Sequence, residues 1–336
     1  MDIKEAIGNV VNHLDLTDEE MQAVMRQIMT GHATPTQIGG FLAALRAKGE
    51  SVAEITAAAR VMRELAMRVK VDTARLVDTC GTGGDNRSLF NVSTGAAFVV
   101  AAAGARVAKH GNRSMTSKSG SADVLEAMGV PLELPAERVA ECIDQVGIGF
   151  MFAPAHHPAA RYAAAPRREL GTRTLFNLLG PLTNPAGAPN QLLGVFAERW
   201  VEPMARVLQS LGSSHVLVVN AEDDLDEISL AAPTRVSELK DSTVRSYTIA
   251  PEDFGIKRQS LNPLVVGSPE ESLGLIREAL TGKPGPAYDM LVLNAGAAIY
   301  AAGVSETLAE GVAQARQAIA SGAAEKKVRE FVDAAR

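Results

Sequence analysis

The sequence predicts an α/β protein: a small all-helical domain followed by a larger α/β domain with a mainly parallel central sheet flanked by helices. Two observations lead there. In residues 1–70 apolar residues recur at helical spacing between capping signatures, and from about residue 71 short strand-like runs alternate with helical ones. Such alternation implies a parallel sheet covered on both faces. A third observation concerns chemistry, because each motif rich in glycine or charge follows one of these strands, where ligands of such sheets gather.

Thr17-Asp-Glu-Glu20, Thr34-Pro-Thr-Gln37 and Ser51-Val-Ala-Glu54 are three capping boxes, each opening a helix. Pro35 holds the favoured first helical position, while Gly31 and Gly49 fall where helices should end. Between them Val24, Ile28 and Met25, Met29, then Phe41, Leu42, Leu45, form apolar stripes. Strands are expected at Leu76–Cys80, Arg106–Lys109, Ile148–Phe152, Gln191–Phe196, His215–Val219, Arg245–Ile249 and Met290–Leu293. Helices are expected from Val92 to Ala103, Ala122 to Met128, after Pro135, around Trp200 to Leu211, and over Ser305–Ala335 with Gly322 as a break. Residues 154–190 interrupt the alternation with a helical stretch rich in Arg and Pro. The expected division is 1–70 for the helical domain, joined by part of 158–190, and 71–336 for the α/β domain.

Composition narrows the function classes. Of the 336 residues 46% are hydrophobic and 21% charged, which is ordinary for a globular protein. No apolar run approaches the roughly 18–20 residues of a membrane span. The net charge of −6 argues against a general nucleic-acid binder. Cys80 and Cys142 are too few for a disulfide scaffold or a four-sulfur zinc site, and the opening Met-Asp-Ile-Lys-Glu-Ala lacks the features of a secretory signal. A cytoplasmic location is the expectation.

Four constellations carry the chemistry. Leu76 to Thr94 reads as a strand, a turn with Gly81, Gly83 and Gly84, and a helix start near Asn91 to Thr94. This is the layout of an anion cradle, although a tight turn alone needs the same glycines. Lys109-His-Gly-Asn-Arg113 leads through a hydroxyl-rich loop to Ser121 and Asp123, with four basic residues and no acidic one between Ala105 and Ala122. A donor-rich loop after a strand suits a polyanion; alone it reads sooner as a solvated basic loop, and its pairing with the glycine turn reverses that preference. Asp223-Asp-Leu-Asp-Glu227 follows the His215–Val219 strand and offers oxygen ligands of the kind Mg²⁺ takes beside phosphates. His156-His157, Arg161, Arg167, Arg168 and Arg173 lead to Asn177–Pro185, and arginine suits bidentate recognition of a carboxylate. Other readings fail on the residues. Gly81-Thr-Gly-Gly-Asp-Asn86 lacks the last glycine of a dinucleotide fingerprint, and neither a Walker glycine-lysine-hydroxyl sequence nor a G-x-S-x-G elbow occurs.

Together, Asp78-Thr-Cys-Gly-Thr-Gly-Gly-Asp85, Phe90-Asn-Val-Ser-Thr94, Lys109–Arg113, Gly120-Ser-Ala-Asp123, His157-Pro-Ala, Arg173–Pro185 and Asp226-Glu227 resemble the anthranilate phosphoribosyltransferase family, in order and over essentially the whole chain. The resemblance implies a helical domain plus an α/β domain, in a homodimer that meets through the helical domains. It implies transfer of the phosphoribosyl group of phosphoribosyl pyrophosphate (PRPP) to the amine of anthranilate. By the same resemblance Gly81, Gly84, Asp85, Asn91, Val92, Ser93, Thr94, Lys109, His110, Gly111, Asn112, Arg113, Ser117 and Ser121 would hold PRPP. Gly81, His110, Asn112, His157 and Arg167 would hold anthranilate, and Ser93, Asp226 and Glu227 would ligate Mg²⁺. No residue is assigned as acid or base; catalysis is expected from positioning and leaving-group stabilisation, with Lys109 and Arg167 as candidates. Many members have a small hydroxyl residue in place of Leu89 and glycine in place of Asn86, which puts the Leu89 side chain in doubt as a PRPP contact. The rivals are a pyrimidine-nucleoside phosphorylase and a non-enzymatic nucleic-acid-binding relative; neither a nucleic acid nor a membrane is an expected partner.

Overall fold

The computed structural model describes residues 1–84, 87–114 and 118–336. Four helices come first: α1 (Ile3–Val11), α2 (Asp18–Met29), α3 (Pro35–Lys48) and α4 (Val52–Glu64). All three expected capping boxes form, at Thr17 with Glu20, Thr34 with Gln37 and Ser51 with Glu54. Each such cap stabilises its helix by about 1 kcal/mol. The helices pack as α1 on α3 and α2 on α4, and Met21, Val24, Met25, Ile28, Phe41, Leu42 and Leu45 lose all contact with solvent.

The rest alternates β1 (Leu76–Gly81), α5 (Val92–Ala102), β2 (Arg106–Gly111), α6 (Ser121–Ala127), α7 (Ala136–Val146) and β3 (Ile148–Phe152). An excursion then supplies α8 (Ala153–His156), α9 (Arg161–Leu170) and α10 (Phe176–Leu182). The sheet resumes with β4 (Asn190–Gly194), α11 (Val201–Ser210), β5 (His215–Ala221) and a hairpin of β6 (Thr234–Lys240) and β7 (Thr243–Ile249). Four helices close the chain: α12 (Pro269–Leu280), α13 (Pro286–Ala301), α14 (Leu308–Ala320) and α15 (Ala323–Ala335).

The seven strands run in the order β3-β2-β1-β4-β5-β6-β7, parallel from β3 to β5 and antiparallel across β6 and β7. Alternate side chains face opposite sides of the sheet, one side forming a single core and the other two, the smaller of which holds Leu76, Ala108 and Met151 against Val139 and Ile143. Leu192, Leu217 and Val219 face α5, α12, α13 and α14, whereas Leu193, Val216 and Val218 join the layer of α10 and α11 and, beyond it, the first four helices. The excursion packs into that second core: α9 lies on α2 and α3, and α10 lies on α4. Arg63 of α4 fastens the arrangement by donating from Nε to the Leu182 carbonyl at 2.6 Å and from Nη1 to the Leu211 carbonyl at 3.3 Å.

Three elements depart from the sequence reading. Met290–Leu293, expected as a strand, lies inside α13. A run of four apolar residues cannot distinguish a strand from a helix buried on every side, and α13 is packed between α5 and α14 with no solvent stripe to betray its period. The strand β6 was not expected, because its buried positions alternate with Arg235, Glu238 and Lys240 rather than forming an apolar run. The helix α12 was not expected either, although Ser268-Pro-Glu-Glu271 is a helix start in which Ser268 accepts from the Glu271 N–H.

Candidate active site

The chain runs from β1 outward through β2 to β3, then returns to place β4 on the other side of β1. That reversal opens a crevice beyond the carboxyl ends of β1 and β4, the position where ligands of open α/β sheets bind. Gly81 and Gly194, the last residues of the two strands, are partners there. Asp226 fills the gap: its Oδ2 accepts from the Gly83 N–H at 2.9 Å. A methyl group on Gly81 would stand 2.6 Å from that oxygen, and one on Gly194 only 1.6 Å from the Asp226 carbonyl. These two glycines therefore let the carboxylate loop close onto the sheet. Gly83 and Gly84 take φ of +65° and +88°, a conformation that suits glycine. Arg173, stacked 4.2 Å over the Phe196 ring, donates to the Gly84 carbonyl and fixes the far side of the turn.

The start of α5 forms the next wall. Asn91 is its N-cap residue, but its side chain does not cap the helix. Thr79 Oγ1 donates to the Ser93 carbonyl at 3.1 Å, and Lys109 Nζ donates to Ser93 Oγ at 3.1 Å and to the Thr79 carbonyl at 2.5 Å. Lys109 is only 2% exposed. Burial pulls its pKa down from the ordinary lysine value, and the carboxylates of Asp78 and Glu227 oppose that shift. Thr94 Oγ1 is buried with no hydrogen-bond partner among the described residues, and Val92 sends its side chain into the core. Leu89 bridges to Val265 and packs against the same core, which explains how an apolar residue is accommodated at that position.

At the end of β2 the main-chain N–H of His110 donates to Asp78 Oδ1 at 3.1 Å, while Asp78 Oδ2 accepts from Asn184 Nδ2 at 2.8 Å. His110 Nδ1 lies 3.2 Å from the Gly180 carbonyl, which can only accept, so Nδ1 carries the proton and Nε2 is a bare acceptor. The His157 ring, 5.1 Å from that of His110, likewise has a buried Nε2 without a partner among the described residues. Burial above all, and then the neighbouring histidine, holds His110 at about 3; burial and His156 hold His157 at about 4. Both imidazoles are therefore neutral near pH 7.

Between about pH 6.5 and 4 an unfolded chain protonates these histidines while the folded one does not, so stability is lost as pH falls through that window, by up to about 1.4 kcal/mol per pH unit for each group. The urea midpoint is expected to fall between pH 7 and pH 5, and to fall less in the His110→Gln/His157→Gln variant. Equal slopes in the two proteins would show that neither ring carries the effect.

The remaining residues divide. Glycine is favoured at position 111, because a methyl group there would crowd the Phe150 ring at 2.8 Å as well as Ser121 Oγ at 2.1 Å. The Asn112 carbonyl accepts from the Ala122 N–H at 3.2 Å and from Ser121 Oγ at 3.4 Å, pinning the first turn of α6 to the strand end. Arg113 is engaged elsewhere: its guanidinium pairs with Asp123 and Glu126 at 2.9 and 2.8 Å. Arg167 lies on α9 with its guanidinium 5.1 Å over the Phe176 ring, and among the described residues it has neither an ion-pair nor a hydrogen-bond partner. Burial lowers its pKa with nothing to offset it, although an arginine stays charged. Asp85, Ser117 and Asn86 lie outside the described residues. Asp78 and Asn184 were given no role from sequence, and Arg173 was read only as one of several arginines suited to a carboxylate; that Asp78 and Arg173 open two of the motifs was the available signal.

Ser93, Asp226 and Glu227 supply oxygen donors only, and no group of three or more His, Cys, Asp or Glu side chains able to hold a metal occurs among the described residues. Two carboxylates and a hydroxyl beside a phosphate-type cradle fit Mg²⁺, which takes few protein ligands and completes its shell with water and substrate oxygens.

Comparison with known proteins agrees with this geometry. Residues 4–66 match the model described as "Glycosyl transferase family, helical bundle domain", and residues 73–325 the one described as "Glycosyl transferase family, a/b domain". The anthranilate phosphoribosyltransferase of Thioalkalivibrio sulfidiphilus is 62% identical over 332 residues, covering 99% of this chain and 98% of that one. That of Stutzerimonas stutzeri is 62% identical over 336 residues, covering 99% and 97%. The chain belongs to the anthranilate phosphoribosyltransferase family. The crystal structure of the Thermus thermophilus member superposes with a TM-score of 0.94 at 48% identity, covering 98% of this chain and 99% of that one. A Saccharomyces cerevisiae anthranilate phosphoribosyltransferase in complex with PRPP and Mg superposes with a TM-score of 0.90 at 25% identity, covering 99% and 97%. The family's helical bundle and α/β sheet are thus both present here, together with the crevice between β1 and β4.

Proposed function

We propose that the chain transfers the phosphoribosyl group of PRPP to the amine of anthranilate, giving N-(5-phosphoribosyl)anthranilate and pyrophosphate in tryptophan biosynthesis. The observation that carries this reading is the crevice itself, where side-chain-free Gly81 and Gly194 admit Asp226 against the phosphate-type turn and Lys109 reaches Ser93 at the adjacent helix start.

In this reading the arylamine nitrogen forms a bond to C1 of the ribose as the bond from C1 to the pyrophosphate oxygen breaks. Negative charge grows on the departing pyrophosphate and positive charge on the ribose ring. The Lys109 ammonium and Ser93 at the start of α5 are placed for the leaving group beside the Gly81–Gly84 turn, whose Thr82 and Gly83 N–H groups are given to the Gly194 carbonyl and to Asp226, and fixed donors of this kind need no reorganisation as charge develops. Ser93, Asp226 and Glu227 would hold Mg²⁺, which when bound neutralises charge on the pyrophosphate oxygens. Arg167, with no carboxylate partner among the described residues, would take that of anthranilate. His110 and His157, neutral and with bare Nε2 atoms, offer acceptors for the N–H of the amine, which is itself mostly unprotonated near pH 7. Asn112 and Ser121 would line the same space, and Asp85 and Ser117 complete the proposed PRPP set. Arg113, committed to α6, contributes least by its side chain.

We also propose the domain division at about residue 70, with part of 158–190 joining the helical domain. A homodimer through that domain is supported by exposed Val11, Leu14 and Met67, each more than half accessible. Sedimentation at the monomer mass of 35.3 kDa would exclude the dimer. No helix among the described residues is long and apolar enough to cross a membrane. We place the enzyme in the cytoplasm, and fractionation with a membrane or secreted pool would reverse that. The reaction is tested by mixing protein, PRPP, Mg²⁺ and anthranilate and following anthranilate fluorescence. Loss of fluorescence that depends on PRPP is expected. A stable signal, or phosphorolysis of thymidine in its place, would overturn the assignment.

A further inference from the structure

Asn91 stands at the mouth of α5, yet its side chain is held from outside the sheet layer that carries the cradle. Ser272, in the first turns of α12 and fully buried, accepts from the Asn91 main-chain N–H at 2.9 Å and donates through the same hydroxyl to Asn91 Oδ1 at 2.8 Å. Ser119, at the exit of the basic loop, donates to the same Oδ1 at 2.7 Å, and its carbonyl accepts from Asn91 Nδ2 at 3.1 Å. Two hydroxyl donors on one oxygen settle which end of the amide is oxygen and which is nitrogen. One N–H of Nδ2 goes to Ser119, and the second has no partner among the described residues.

We infer that Ser272 is a positioning residue for the phosphoribosyl donor: it fixes the rotamer and amide orientation of Asn91, so that the second Nδ2–H remains directed to the ligand and the loop exit at Ser119 stays joined to the start of α5. The inference rests on the proposed binding of PRPP at Asn91 and adds a residue some 180 positions away in sequence. Without the Ser272 hydroxyl the Asn91 N–H loses a buried partner, and the amide is free to turn its oxygen toward an anionic or hydroxylated ligand. Because Ser272 is placed against Asn91 and not against the second substrate, the effect is confined to one side of the reaction.

In Ser272→Ala the KM for PRPP is expected to rise roughly 5- to 10-fold, the worth of about one hydrogen bond, with the KM for anthranilate unchanged within about twofold. The deciding measurement is a cycle with Asn91→Ala: if Ser272 acts through Asn91, the substitution at Ser272 changes PRPP KM by less than about twofold once Asn91 is gone. Equal effects in both backgrounds, or parallel rises in both KM values, would mean a general structural role and overturn the inference. Thermal unfolding of all four proteins separates loss of fold from loss of positioning, and Ser272→Cys, nearly the same size, should recover part of the loss. Wild-type protein without turnover would overturn the reaction itself and the inference with it; active wild type with an unaltered Ser272→Ala would overturn the inference alone.

Discussion

Asp226→Asn is expected to lower kcat/KM for PRPP by roughly 10²- to 10³-fold, the scale on which a preorganised electrostatic group stabilises a transition state. The substitution separates two duties of one side chain. Asp226 Oδ2 accepts from the Gly83 N–H, and an asparagine oxygen in the same place still can, so the turn keeps its shape. What is removed is the negative charge that the absence of side chains at Gly81 and Gly194 admits to the crevice. If that charge holds Mg²⁺, the concentration needed for half-maximal rate should rise along with the fall in kcat/KM, while thermal stability without metal changes little. A variant within about threefold of wild type and with the same Mg²⁺ dependence would remove Asp226 from the metal site.

Much of this site was legible in the sequence because its parts are local. A strand, a glycine turn and a helix start lie within Leu76–Thr94, and each feature is written in consecutive residues. The capping boxes were legible for the same reason, since a hydroxyl and its partner three residues on define a helix start without tertiary context. What remained hidden depends on distant chain. The demand for glycine at position 194 comes from Asp226 above it, and the role of Ser272 comes from a helix that reaches back to Asn91. The strand expected at Met290–Leu293 failed on a different ground: α13 is enclosed on all sides, so burial erased the periodicity that distinguishes a helix from a strand. For β6 the reverse applied, since charged residues on its half-buried face masked a strand that the β5 pairing settles.

The family also supplied roles that local patterns could not. Arg113 and Lys109 are both basic residues at the end of one strand, and charge alone treats them alike. Their surroundings differ: Lys109 is enclosed against Ser93 and Thr79, whereas Arg113 is drawn to Asp123 and Glu126 on α6. An exposed pair of that kind contributes little to stability, and its consequence is to orient the arginine away from duties in the cradle.

Arg167→Ala is expected to raise the KM for anthranilate by roughly 10- to 100-fold, the range for losing a hydrogen bond to a charged group, with PRPP KM nearly unchanged. No carboxylate stands beside this guanidinium among the described residues, and a half-buried arginine held only against the Phe176 ring has its donors to offer. Arg167→Lys should recover only part of the loss, because an ammonium cannot grip a carboxylate through two parallel bonds. The contact with Phe176 means that truncation also removes some packing, so a fall in stability would not by itself identify the role. The substrate can be changed in place of the protein. An arylamine without the ortho carboxylate should react poorly with wild type and about equally with wild type and Arg167→Ala, since the group that Arg167 would hold is missing from both reactions. If the variant retains its disadvantage with that amine, Arg167 supports the fold of α9 and does not bind the carboxylate.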